Sequence, residues 1–562
     1  MRVTIGTCAR RCLLLIDEFL RATRTTGLAA SIAASLLIWF VTTSPRISAA
    51  QTEDPLKQHY DAASRFARSG DREQAFGEYR AFLAEALRRV ANGRADAGEF
   101  RSADPVFQAA VSFAPRDPQL IFDYAKVCLD ADNLPKAKSL VAGLAQLPQV
   151  DLGVRLLYGR VLFHLGDFQS AKLQLEQVFA EKPEFNVGYL LGKIYLLLHQ
   201  EDTARQLFDG MAHNFGDTAQ THIYFGRAYS ETDYPAEAAE EFRRAMAKDD
   251  RAPDAHYYLG LTYLGHNESA GYAQAIPEFH AELEQNQRDF RSHYMLGYIA
   301  LKRRDFGEAE TELQRALALE PTDLQSVLEL AEVYDNTNRL AEAESELRKA
   351  ISLSHKGSSN EGQVSRAHYL LGRLLEKTGR HPQAAEEMKI VADIQKHLGP
   401  SSTQTADART KEAQDETKRA QTTQPPEKLA QLARFEQEIR PAIADAYNNL
   451  GVILAGDHDF SGAARYFQSA KEWDSSLEGV DLNLGRAAYL AGQPEKAAPV
   501  LSRYLQQHPE DNSARSVLGL TWFRLGEYQK VVDVLAPIES AIHSNPELVN
   551  AYTTSVGKIP KN

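Results

Sequence analysis

Small and apolar residues recur along this chain with a period near 34. A Gly is followed twelve positions on by an Ala at Gly159/Ala171, Gly192/Ala204, Gly226/Ala238, Gly297/Ala309, Gly372/Ala384, Gly451/Ala463 and Gly485/Ala497. Ala replaces the Gly in Ala91/Ala103, Ala125/Ala137 and Ala331/Ala343. Four residues after the Ala stands a large apolar side chain: Phe107, Leu175, Phe208, Phe242, Leu313, Leu347, Phe467 and Leu501. A small residue follows three further on, as at Ala110, Ala245, Ala316, Ala350 and Ala470, and then a Pro at Pro115, Pro183, Pro321 and Pro509. Spacings of four and three place these side chains on one stripe of a helix, and the Pro stops it. The pattern predicts antiparallel helix pairs. The Gly lies on the first helix and the Ala opens the facing stripe of the second. One such pair cannot bury its apolar face alone, so stacking of neighbours is obligatory.

From Ala91 to Gly260 the steps are 34, 34, 33, 34 and 34 residues. The step from Gly260 to Gly297 is 37, with the excess in HNESAGYAQ; that from Ala331 to Gly372 is 41, with the excess in SHKGSSNEG. Insertions therefore fall where turn residues cluster, as loops of a helical repeat should. One interruption is larger. Residues 399–427 contain no large apolar side chain and cannot bury enough surface to order themselves. This divides the chain into an N-terminal array (51–397), a low-complexity insertion (398–427), a C-terminal array (428–545) and a tail (546–562).

The first fifty residues differ from the rest. Arg2, Arg10, Arg11, Arg21 and Arg24 precede an uncharged apolar run from Gly27 to Val41, and Ser48 and Ala50 then form a small-x-small site before Gln51. This is the order of a signal peptide, or of a retained N-terminal membrane anchor. An exported chain is expected, periplasmic or extracellular, or anchored to the inner membrane and facing the periplasm.

Composition narrows the chemistry. Hydrophobic residues make up 43% and charged residues 25% of the 562, which suits a folded chain. Net charge is −13, and because six Arg in residues 1–50 face only Asp17 and Glu18, the remainder carries −17. Affinity for nucleic acid backbone is not expected. Outside the first dozen residues Cys128 is the single cysteine, which excludes a disulfide framework and a Cys-based zinc site. No catalytic constellation or cofactor motif emerges. GYLLGKIY (188–195) has the wrong spacing for a phosphate loop, and Asp457, His458 and Asp459 occupy a turn where such residues are structurally expected. His164, His222 and His256 are expected on helix faces rather than on a metal.

Asn449-Leu450-Gly451 through Ala463, Phe467 and Ala470, and Gly485 through Ala497 and Pro509, resemble the tetratricopeptide repeat, W-x2-L-G-x2-Y … A-x3-F … A … P. The resemblance covers residues 55–545. It implies an all-α, right-handed superhelical solenoid of about 11–12 helix-turn-helix repeats whose first helices line a groove. On that view the position after the Gly reads Lys126, Arg160, Lys193 and Arg227, and again Arg373 and Arg486; the position three before it includes Tyr189, Tyr257, Tyr294 and Tyr369. The two columns are four apart and share a helix face. Asn449 and Asn483, two before the Gly, resemble the rungs of the Asn ladder in the superhelical repeats of O-linked N-acetylglucosamine transferase. The expected function is a non-catalytic scaffold of the cell envelope, binding a protein or peptide partner, for which the basic column suggests acidic character. The alternative is an assembly or secretion factor for surface polysaccharide or outer-membrane machinery. Contact with a membrane is expected only through the N-terminal segment.

Overall fold

The period becomes helix pairs because a glycine on one helix lets a large side chain of the next lie against bare backbone. In the computed structural model, which describes residues 54–147, 149–265, 268–354, 361–398, 426–543 and 545–559, each Gly of the repeat faces the large residue of its own pair. Leu175 packs on Gly159, Phe208 on Gly192, Phe242 on Gly226, Phe279 on Gly260, Leu313 on Gly297, Phe467 on Gly451 and Leu501 on Gly485. The pairs include Leu152–His164 with Phe168–Glu181, Phe185–Leu197 with Glu201–Phe215, Ala219–Glu231 with Pro235–Lys248, and Phe290–Lys302 with Phe306–Leu319. No strand occurs among the described residues.

Among the described residues the turn inside the pairs has a recurring form. Seven positions after the Gly column the backbone enters the left-handed region. Gly stands there at Gly166, Gly379, Gly492 and Gly526, but Asp132, His199, Asp233, Arg304, Asn338 and His458 take φ between 56° and 70°. An L-residue in that region is strained, so the pair's packing must hold it there. In some of the pairs the second helix then starts on an Asp cap: Asp167 accepts from the Ser170 amide and Asp305 from the Glu308 amide.

The chain forms two compact units. One runs from Leu83 to Ala444 and includes Trp473–Ser475; its buried side chains form a continuous core from Leu162 to Ala384. At its N-terminal end Arg94 forks onto Glu436 (2.6 and 3.1 Å) and lies 5.8 Å over the Trp473 ring. The other unit comprises the residues up to Phe82, Asp445–Glu472 and those from Ser476 on. Within it Tyr60, on helix Pro55–Ser69, donates to Asp445 (2.5 Å), and Arg72 pairs with Asp457. Ala63 and Ala75, both fully buried, occupy the Gly and Ala columns of one more repeat at the start of the described chain.

Residues 546–558 were expected as tail but form the helix Pro546–Lys558, which buries Leu548 and Ala551 beside Val531 and Leu535. That helix carries no Gly column, which is why the period passes over it. The leader or anchor in residues 1–50 and the insertion from 399 to 425 lie outside the described residues. No helix among the described residues is long and apolar enough to cross a membrane.

The glycine contact gives a test of opposite signs. A Cβ at Gly192 would lie 2.2 Å from the Phe208 ring, whereas one at Gly77, exposed on helix Arg72–Asp96, meets nothing within 4 Å. Gly192→Ala should destabilise by about 1–3 kcal/mol through overpacking. Gly77→Ala should stabilise by about 0.5–1 kcal/mol by removing helix glycine entropy. Urea unfolding of the two variants reads both.

Candidate peptide-binding face

The first helices bring the two predicted columns onto one face, but neighbours treat the residues differently. Lys126 and Arg160 are exposed on successive first helices. The carboxyl of Asp130 lies near them; the protein around it desolvates it and raises its pKa, against the pull of Arg160 and Lys126. Lys193 instead donates to Glu231, and both side chains are about 85% buried, at 15% and 14% exposed. Arg227, 16% exposed, reaches the same carboxylate at 3.6 Å, stacks 5.1 Å over Tyr258 and keeps its Nε buried without a hydrogen bond. The four cations in a row therefore divide into an exposed pair and a pair that converges on one glutamate.

The aromatic column divides too. Tyr257 is buried beneath the Arg291 guanidinium, 4.5 Å above its ring. Tyr294 is buried and lies 6.3 Å from Tyr298. Tyr189 is half-buried, edge-on to Tyr224 at 5.9 Å, with the Lys193 ammonium 5.8 Å from its ring. Tyr369 alone of the four is exposed, at 46%, with Arg373 over its ring at 5.9 Å. In the other unit Arg486 donates to Ser513 (2.7 Å). Asn449 donates to the Asp445 carboxylate (2.8 Å), and Asn483 donates to Asn448 (3.2 Å), so each amide already has an internal acceptor.

Sequence reasoning did not find the carboxylates that hold these cations. Arg291 pairs with Asp254 and Asp289, and Arg366 joins Glu329 (2.9 Å) to Glu332 (2.6 Å). Glu329 is fully buried. Burial pushes its pKa up, but the Arg366 guanidinium outweighs this and holds it below the ordinary carboxylate value. Burial and the Glu329 charge push the pKa of Glu332 up. The signal was available. Apart from Asp289, two residues before Arg291, each acid precedes or follows its base by 34 to 38 residues, one repeat along.

The remaining candidate chemistry is structural. His458 is the left-handed residue of its turn, Asp459 caps the next helix at the Gly462 amide (2.8 Å), and Asp457 pairs with Arg72 (3.4 Å). Cys128 is buried, and burial pushes its thiol up to about 11. Among the described residues no three His, Cys, Asp or Glu gather as a metal site.

The pattern of the tetratricopeptide repeat family matches residues 268–323, 294–361, 328–396 and 482–530. The fold is an all-α tetratricopeptide-repeat solenoid. Human tetratricopeptide repeat protein 21B is 27% identical over 192 residues, covering 32% of this chain and 14% of its own length. Mouse Superkiller complex protein 3 is 27% identical over 204 residues, covering 35% of this chain and 12% of its own. The chain thus spans under a sixth of these relatives. Among solved structures, MamA from Desulfovibrio magneticus RS-1 shares 21% identity at a TM-score of 0.29, covering 33% of this chain and 99% of its own. Pseudomonas aeruginosa pilF shares 16% at 0.28, covering 48% and 95%. Tetratricopeptide repeats generally mediate protein–protein interaction, and proteins built from them are typically non-catalytic.

The junction at Arg366 is testable. Removing one partner of a buried ion pair leaves an uncompensated charge. Arg366→Ala should destabilise by about 3 kcal/mol, whereas Glu332→Gln, which keeps the side chain's shape and leaves the Arg366–Glu329 pair in place, should cost less, about 1 kcal/mol. Chemical denaturation followed by circular dichroism distinguishes them.

Proposed function

We propose that this tetratricopeptide-repeat protein is a non-catalytic scaffold of the cell envelope that captures an acidic peptide segment of a partner on the face formed by its first helices. The observation that carries the reading is the exposed pair Lys126 and Arg160, one repeat apart within an acidic chain. Two cations on successive helices meet carboxylates of an extended peptide, and the half-buried Phe122, Leu156 and Phe163 nearby offer apolar surface for the side chains between. Export to the envelope is supported by the basic, then apolar, then small-residue order of the first fifty residues.

Lys126→Glu with Arg160→Glu should weaken capture of a short acidic peptide by about tenfold or more, in a salt-dependent manner, while the helical circular dichroism stays unchanged. Fluorescence anisotropy with a labelled Asp/Glu-rich peptide measures it. Unchanged affinity in the double variant would remove these residues from the binding face.

A further inference from the structure

One register position carries a recurring polar pair that plays no part in peptide capture. Four residues before the Gly column stands a His, and three residues after the Ala column stands a Glu, in five repeats. The pairs are His59–Glu78, His222–Glu241, His256–Glu278, His293–Glu312 and His368–Glu387, each with Nδ1 2.5 to 2.6 Å from a carboxylate oxygen. Each pair bridges the two helices of its own repeat. His222, Glu241, Glu312 and His368 are buried. Where the same register holds other residues they also match: Arg155 donates to Gln174, and Tyr447 lies 6.0 Å from Tyr466. One repeat supplies a natural comparison. Glu346 has Val327 at the His position, and its Oε2 is buried without a hydrogen bond, with Lys349 at 3.6 Å.

We propose that the clasps His222–Glu241 and His256–Glu278 make their stretch of the solenoid pH-responsive, holding the two helices of each repeat more tightly with the imidazole protonated than with it neutral. Geometry supplies the charge balance at each site. His222 sits between Glu241 and Asp217 (2.6 and 2.8 Å), with Arg244 on Glu241 and Lys248 on Asp217. His256 faces Glu278, and Glu282 and Glu284 add further negative charge. Arg315 is on Glu312 behind His293, and Arg348 of the preceding repeat lines the same surface depression as His368 and Glu387. For His222 and His256 the bond to the glutamate outweighs burial and raises the pKa above the ordinary value. The sign follows. A folded-state pKa above the unfolded one gives stability that is full below about pH 6.5 and is lost as pH rises through the folded value. Because a solenoid's stability is a sum over repeats and their junctions, the His222 and His256 clasps, on neighbouring repeats of one unit, add in their effect.

The test uses the full chain. The urea midpoint is expected to fall between about pH 6 and pH 8.5, and to fall by about half as much or less in His222→Gln/His256→Gln. The comparison is needed because Glu282 and Glu332, whose pKa values burial raises, give a slope of the same sign. An equal slope in the variant, or a wild-type midpoint that rises with pH, overturns the proposal. If the variant does not fold, proton NMR of the wild-type His222 and His256 imidazoles decides instead. Ring pKa values above the ordinary histidine value support the clasp, and values at or below it overturn it.

Discussion

The structure depends on how closely two helices can approach at the glycine column. With no Cβ on the first helix, the Phe or Leu of the second lies directly on backbone, as Phe208 does on Gly192 and Leu501 on Gly485. That contact fixes the rotation and the axial register of one helix against the other. Register then decides which other positions meet. His222 can face Glu241, and Arg155 can face Gln174, only because Phe242 and Leu175 are already seated. The left-handed turn residue belongs to the same constraint. Residues such as Arg304 and His199 accept a strained φ because the helix pair on either side is over-determined by packing.

Stacking follows a different rule. Apolar burial holds successive pairs together, as the continuous core from Leu162 to Ala384 shows. Ion pairs set between first helices decide how they are aligned. Lys193 with Glu231, Arg291 with Asp254 and Arg366 with Glu329 each join one repeat to the next, and most of these groups are largely removed from water. Such pairs contribute little net stability, because desolvation offsets their attraction. They do penalise a wrong alignment heavily. A face that reads in sequence as a basic stripe is therefore partly internal bonding: Lys193 and Arg227 are tied to Glu231, while Lys126, Arg160 and Arg373 remain exposed.

Much of the fold was legible because its cause is local. Small and large residues at fixed spacing within about 20 positions are what a helix pair requires, and they appear directly as a period. The candidate face was less legible because its determinants are not local. Whether Arg227 meets solvent depends on Glu231 one turn away and on Tyr258 in the next repeat. Tyr257 and Tyr294 look like Tyr369 in sequence, but only Tyr369 has its ring exposed. Ala63 and Ala75 kept the twelve-residue spacing without a glycine, and helix Pro546–Lys558 had no spacing to keep. Sequence periodicity found what repeats share, and missed what makes one repeat differ from another.

Those differences limit how such a chain changes over time. Each junction between repeats carries its own acid and its own base: Glu231 suits Lys193, Asp254 suits Arg291, and Glu329 suits Arg366. Copying or deleting a single repeat would set a desolvated carboxylate against a residue chosen for another junction. The order of the units is thus written into their charges. An array assembled from similar parts has become one whose parts are no longer interchangeable, so it can diversify by substitution far more readily than by gaining or losing a unit.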